Sequence, residues 1–214
     1  MTWTLGIDTS HHVAVGIARD GVPVAREVVE DTRAHVEELM PTVLGACATA
    51  GIALTEVDEF AVGMGPGPFT GLRVGVATAW TLAHAGGKPV HGVCSLDVIA
   101  RQFADLEAPE RFIVAADARR KELYWRLYRA DGTPEGAPQV GAPARLPDLP
   151  VAGAVPEHFA DLVRRQGPDR LDPAVLAASW ALLEPAGDEP YYLRPADATV
   201  PGKPKSALPR LRAR

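Results

Sequence analysis

The chain has 214 residues, 47% of them hydrophobic, and a formal charge of −5 at pH 7. That is enough apolar side chain for a real core in one domain or two small lobes, and the acidic balance excludes a body that binds nucleic acid through bulk charge. The charge is uneven: residues 201–214 carry Lys203, Lys205, Arg210, Arg212 and Arg214 with no acid, and taking that +5 out of the total leaves −10 for the rest.

Trp3 to Asp8 reads as a strand ending in Asp8-Thr9-Ser10. His12 to Ala18 alternates as its hairpin partner, Asp20-Gly21 is a hairpin turn signal, and Val22 to Val29 follows as a third strand. From Arg33 to Ala50, Val36, Leu39, Met40, Val43, Leu44, Cys47 and Ala50 recur at three and four, which predicts an amphipathic helix stopped by Gly51 and kinked at Pro41. Glu59 to Gly63 is an apolar strand. It enters a stretch from Gly63 to Arg73 with four glycines and two prolines. This is a stiff strand-to-helix turn, able either to aim backbone N–H groups at an anion or only to pack. It has neither the Gly-Lys-Ser/Thr ending of a Walker loop nor a G-x-G-x-x-G fingerprint. In the helix that follows, from about Leu72 to Ala85, Gly71, Gly75, Ala79 and Ala83 form a small-residue ridge at spacing four. The ridge fits close packing on its own sheet or against a helix of another subunit.

Lys88 to Val93 is another strand, and Ser95 is placed to cap a helix with Asp97 in its first turn. Glu107 to Glu110 reads as a lobe boundary. Beyond it come a strand from Phe112 ending at Asp117, a second strand from Glu122 to Arg129, and a turn at Asp131-Gly132. Residues 133–153 are rich in Pro, Gly and Ala and read as irregular. Pro156 to Gln166 and Asp172 to Glu184 read as helices, and Tyr191 to Pro195 opens a proline-rich basic tail. A strand ending in Asp, then a hairpin, then helices, occurs twice. The expected architecture is a duplicated α/β fold: a lobe over 1–106, a smaller lobe over 107–195, and a tail over 196–214.

In nucleotide-cleft folds of this kind a strand-Asp-turn-strand unit holds phosphates, and Asp8, Thr9 and Ser10 fit the first such turn. The matching second turn, Asp117-Ala-Arg-Arg-Lys-Glu122, lacks glycine, so Asp8 and Asp117 are either degenerate nucleotide contacts or turn caps. Arg119, Arg120 and Lys121 suit phosphate or acidic partners, and equally a solvated hairpin tip. The six histidines include no i, i+4 pair and no H-E-x-x-H, so no metal is expected. No serine lies in G-x-S-x-G, and no nucleophile–base pair stands out. Cys47 and Cys94 form no CxxC motif, the N-terminus lacks a signal-peptide pattern, and no apolar run approaches a membrane span. A cytoplasmic protein is expected.

Gly6-Ile-Asp-Thr-Ser10, Ala34-His-Val-Glu-Glu-Leu-Met-Pro41, the Gly63–Arg73 loop, Gly92-Val-Cys-Ser-Leu96, Asp117-Ala-Arg-Arg-Lys-Glu-Leu-Tyr-Trp125 and Tyr192-Leu-Arg194 occur in that order. Together they resemble the bacterial TsaB (YeaZ) family over nearly the whole chain, with 133–190 the least recognisable part. The family pattern usually has Ser where Pro68 stands, which passes the capping of the following helix to Thr70. The resemblance implies an actin-like, Hsp70-like, sugar-kinase-type fold with a reduced second lobe. It also implies a non-catalytic subunit paired with the catalytic paralogue TsaD, and joined by the ATPase subunit TsaE. That complex transfers a threonylcarbamoyl group to the adenosine next to the anticodon of tRNAs reading A-starting codons. It implies no cofactor of this chain's own, with ATP or ADP and metal on the partner subunits. Contact with tRNA would be indirect, through the complex, with no membrane involved. Alone, the chain is expected to homodimerise through its two N-terminal helices. Mapped on this sequence, that partner face comprises Val36, Leu39, Met40, Val43, Thr70, Gly71, Arg73, Val74, Gly75, Thr78, Ala79 and Leu82. The competing readings are an independent ATPase or small-molecule kinase of the same fold, and a metallopeptidase.

Overall fold

The computed structural model describes residues 1–30 and 35–194, with side chains described from residue 36 in the first helix. The expected helix start at Arg33 and the tail over 196–214 lie outside the described residues. The N-terminal meander comprises β1 (Trp3–Asp8), β2 (Val13–Arg19) and β3 (Val22–Val29), followed by α1 (His35–Ala50). Asp20 and Gly21 turn the β2–β3 hairpin with φ of 51° and 75°, the left-handed pair that matches the twist of a two-residue hairpin. Next come β4 (Glu59–Gly63), α2 (Phe69–Gly86), β5 (Val90–Val93) and α3 (Ser95–Ala104). The first sheet has the order β3-β2-β1-β4-β5, antiparallel within the meander and parallel from β1 through β5.

The second half supplies β6 (Arg111–Asp117), β7 (Leu123–Arg129), β8 (Pro134–Gly141), β9 (Pro150–Ala152), β10 (Arg164–Arg165) and α4 (Pro173–Ser179). Its sheet runs β10-β9-β6-β7-β8, with β6, β7 and β8 antiparallel and β6, β9 and β10 parallel. Strand for strand this repeats the first sheet. The duplicated, actin-like α/β fold is therefore visible in topology, and the second copy is reduced at its crossovers, where only 3-10 turns stand in for helices.

Three expectations change here. Residues 133–153 are not irregular: they hold β8 and β9. β8 is the edge of its sheet, the position where a strand tolerates proline because one side has no ladder to complete. Pro156–Gln166 is not an α-helix but a 3-10 segment over Glu157–Leu162 followed by β10, and the last predicted helix ends as α4 plus a 3-10 turn at Trp180–Leu182. Packing also crosses the expected boundary at residue 107. α3 lies before that point, yet Leu96, Ile99, Ala100 and Phe103 pack with Phe112, Val114 and Tyr128 of the second sheet. α4 lies after it, yet it covers β1, β2 and β3 of the first sheet. Gly6 and Gly16 face each other across β1 and β2. A Cβ at Gly6 would meet the Pro173 carbonyl oxygen at 2.9 Å, and one at Gly16 would overlap the Pro173 backbone. The missing side chains let α4 lie directly on the strands.

α1 and α2 cover the opposite face of the first sheet. On α1, Leu39, Val43, Ala46 and Cys47 are buried in the core shared with β1, β2 and β4. Its outer ridge, Val36, Met40 and Leu44, stays exposed at spacing four.

Candidate functional site

The Gly63–Arg73 loop is built around the Asp8-Thr9-Ser10 turn. Added Cβ atoms would drive Gly63 into Asp8, Gly67 into Ser10 and Gly75 into Thr9. Thr9 Oγ1 donates to the Gly71 carbonyl at 2.8 Å. The Asp8 carboxylate is buried and occupied: Oδ1 accepts from the Ser10 N–H (2.9 Å) and hydroxyl (2.6 Å), and Oδ2 from the Ser95 hydroxyl (2.5 Å). Ser95 Oγ also accepts from the Gly65 N–H at 3.1 Å, and the Ser95 N–H donates to the Gly65 carbonyl at 2.8 Å. The space left beside Asp8, Ser10, His11, His12 and Pro66 is about 30 Å³, room for a water or two and far less than a nucleoside phosphate needs. The glycines thus serve close packing on the turn.

Ser95 does not cap α3. Cys94 holds the N-cap position without a side-chain bond, because the Ser95 hydroxyl is committed to Asp8. Thr70 likewise does not cap α2, whose N-cap is Pro68 without a side-chain hydrogen bond; Thr70 is exposed. Asp117 caps its own turn through Oδ1 and the Arg119 N–H at 2.8 Å. His11 lies in the field of both aspartate turns. Burial and the neighbouring His12 ring hold its imidazole below the usual range against the opposing pull of Asp117 and Asp8, so it is neutral at pH 7.

Asp97, two residues beyond Ser95, ties the lobes. Its carboxylate accepts two hydrogen bonds from the Arg126 guanidinium (2.8 and 2.9 Å) and one from the Tyr128 hydroxyl (2.6 Å). Arg126 also donates to Glu184 Oε2 (2.9 Å) and the Gly136 carbonyl (2.7 Å). Asp97 and Arg126 are both buried.

Three of the sequence motifs converge on a cleft of about 300 Å³. It is lined by Gly67, Pro68, Phe69 and Thr70 at the head of α2, by Ala118, Arg119 and Tyr124 of the second lobe, and by Tyr192, Leu193 and Arg194. Phe69 and Tyr192 pack with tilted rings, 4.9 Å between centroids, and Arg73 lies over Phe69 at 4.8 Å. Phe69, Tyr124, Tyr192 and Arg194 were legible only as motif members, because the cleft joins segments far apart in the chain.

The expected partner residues separate into two sets. Val36, Met40, Thr70 and Arg73 are exposed, and Val74, Thr78 and Leu82 are half-buried. Leu39, Val43, Gly71, Gly75 and Ala79 are buried in the chain's own core and are not available to a partner. The small-residue ridge of α2 faces inward because Thr9 and the sheet need that space. Leu44 and Trp80, 53% and 43% exposed, belong to the outer face and were passed over. Gly75→Leu is accordingly expected to cost roughly 3 kcal/mol of stability through overlap with Thr9, read as a lower calorimetric midpoint. A midpoint equal to the parent's would show that the ridge is not seated on the sheet.

A family model described as TsaD, tRNA N6-adenosine threonylcarbamoyltransferase, matches residues 27–174. Over 128 residues the chain is 34% identical to the Escherichia coli tRNA threonylcarbamoyladenosine biosynthesis protein TsaB, an alignment covering 59% of this chain and 55% of that protein. YeaZ from Pseudomonas aeruginosa superposes with a TM-score of 0.71 at 28% identity, covering 90% of this chain and 100% of that one. The chain belongs to the TsaB (YeaZ) family. Within it, an uncharacterised Mycobacterium tuberculosis protein is 46% identical over 204 residues, 91% of this chain and 92% of that one. Membership supports a role in tRNA threonylcarbamoyladenosine biosynthesis. Among the described residues no helix is long and apolar enough to cross a membrane, and no group of three or more His, Cys, Asp or Glu residues is arranged to hold a metal ion.

Proposed function

We propose that this chain is a non-catalytic scaffold and activator. It pairs with a TsaD-type catalytic paralogue for threonylcarbamoyl transfer to the adenosine next to the anticodon of tRNAs reading A-starting codons. The observation that carries the reading is the outer face of α1 and α2, where Val36, Met40, Leu44 and Trp80 stay exposed on adjacent helices. Large apolar side chains left exposed on neighbouring helices fit a protein contact. The occupied Asp8 turn supports the non-catalytic half, since a carboxylate engaged with Ser10 and Ser95 has little left to position a reacting water. In this reading the TsaE-type ATPase joins the pair, nucleotide and metal reside on the partner subunits, and the isolated chain homodimerises through the same helices. The setting is the cytoplasm.

The test is threonylcarbamoyl transfer to tRNA by the cognate catalytic and ATPase subunits, supplied with synthetic threonylcarbamoyl-AMP, with and without this chain. Activity that rises to a plateau at stoichiometric addition is expected; activity indifferent to the chain would end the proposal. Asp8→Ala leaves three hydrogen-bond donors of Ser10 and Ser95 without their acceptor, and is expected to cost about 1–3 kcal/mol of stability. Transfer per folded complex should be retained. Complete loss of transfer with assembly intact would restore a chemical role to Asp8.

A further inference from the structure

Phe69, Arg73, Ala77 and Trp80 recur at helical spacing along α2, and all four are exposed. They form one outward stripe that starts at the cleft. Arg73 is the charge within it. Its guanidinium lies 4.8 Å over the Phe69 ring, and Phe69 packs in turn against Tyr192, with 4.9 Å between centroids. Phe69 and Tyr192 remain 39% and 41% exposed. The result is a column of guanidinium, ring and ring, in which an aromatic face holds a long flexible side chain in place. The two arginines of the neighbouring cleft each have an acid beside them, Asp117 for Arg119 and Glu122 for Arg194. Among the described residues no carboxylate is paired with Arg73, and the first turn of α2 carries no acid. Arg73 is thus an ordered cation on the outer surface of α2 whose charge the chain itself does not match.

We propose that Arg73 is the specificity anchor of the helix face, and that the catalytic paralogue presents a carboxylate to it. The proposal rests on the scaffold reading above and deepens it by giving the chemistry of the partner's surface. A partner that covers Phe69 and Trp80 must also cover Arg73, which lies between them on the same stripe. Burying a guanidinium without a counter-charge is strongly unfavourable, so a matched partner has to supply one. The oxygens of a carboxylate fit the planar fork of arginine. Stacking on Phe69 orders the guanidinium before the partner arrives, which lowers the entropy lost on pairing. The chain as a whole carries −5, so the attraction for an acid is local and selects which part of the partner docks here. A nucleic-acid backbone is the lesser fit. It is taken by several cations together, whereas the stripe neighbours of Arg73 are Phe69, Ala77 and Trp80.

The experiment measures the Kd between the full chain and its cognate catalytic paralogue at several salt concentrations, with Arg73→Gln, Arg73→Lys and Phe69→Leu beside the parent. Arg73→Gln is expected to raise Kd by roughly 30-fold and to flatten its dependence on salt. Arg73→Lys and Phe69→Leu keep the charge but lose the stacked fork. Both should raise Kd by roughly 5-fold and keep the salt dependence. Melting midpoints should stay near the parent's, because both side chains are exposed. Against Arg73→Glu, one Asp→Lys or Glu→Lys change on the paralogue should restore pairing; a full scan in which none does would overturn the proposal. If the parent pairs and Arg73→Gln pairs equally well with the same salt dependence, the anchor fails and the scaffold reading stands. If the parent does not pair at all, the scaffold reading fails and takes the anchor with it. Unchanged pairing with weaker self-association would assign Arg73 to a second copy of the chain. Unchanged pairing with weaker tRNA binding by the assembled complex would assign it to phosphate. Either result overturns the proposal.

Discussion

Arg126→Ala is expected to lower the stability of the folded chain by about 3–5 kcal/mol, the usual consequence of leaving one partner of a buried ion pair alone. For a chain of this size that is a fall in melting midpoint of roughly 10 °C or more. The reason lies in Asp97, whose two carboxylate oxygens both accept from Nη1 of Arg126, with the Tyr128 hydroxyl as a further donor. The effect has a pH signature. Burial pushes the Asp97 carboxyl up, while the Tyr128 hydroxyl and the Arg126 guanidinium oppose the shift. Removing the guanidinium raises the folded-state pKa further and leaves the unfolded value unchanged. A carboxyl whose folded pKa exceeds its unfolded pKa binds protons better when folded, so stability is lost as pH rises between the two values. The deficit of Arg126→Ala should therefore be larger at pH 8 than at pH 5 in urea melts. An apolar pair, Arg126→Met with Asp97→Leu, should recover much of it. A variant as stable as the parent, or a deficit that shrinks with rising pH, would mean that the Asp97–Arg126 pair does not hold the lobes together.

Trp80→Arg combined with Met40→Arg is expected to weaken pairing with the catalytic paralogue by 100-fold or more. Each change puts a charge where an exposed apolar side chain stands on α1 or α2, and aromatic anchors typically carry about 2 kcal/mol or more of an interface. Both side chains are exposed in the free chain, so the melting midpoint should stay within a few degrees of the parent's. Sedimentation of the mixed subunits reads the pairing, and the transfer assay reads the consequence. Full-strength assembly by the double variant would remove the helix face from the functional reading. This contrast with Gly75→Leu is informative, because Gly75 and Trp80 share one helix: the inward substitution should lower stability and pairing together, the outward one pairing alone.

How much of this was legible in the residues follows from what periodicity carries. Alternation in β1 and β2, the Asp20-Gly21 turn and the three-and-four spacing of α1 are local signals, and each element formed where its pattern lies. The two strand-Asp-hairpin units announced the duplication, which the second sheet reproduces in strand order. The family motifs, too, are strings of residues that need no third dimension to be matched. Periodicity states which side chains share a face, however, and not what covers that face. The ridge of Gly71, Gly75 and Ala79 was equally suited to a partner helix and to the chain's own sheet, and only the position of Thr9 against Gly75 turned it inward. The glycine-proline loop left an anion site open beside plain packing, until Asp8, Thr9 and Ser10 filled the space its glycines leave. β8 read as irregular because its prolines disfavour any strand but an edge, and edge position is a property of the assembled sheet. The return of α4 to the first sheet was hidden for the same reason: Gly6 and Gly16 look like ordinary strand glycines until the Pro173 backbone lies on them. Sequence alone determined the elements up to Arg129, their duplication and the family; tertiary structure decided the edge strands beyond them and which faces remain for other molecules, because edge position and burial are settled by contacts between segments far apart in the chain.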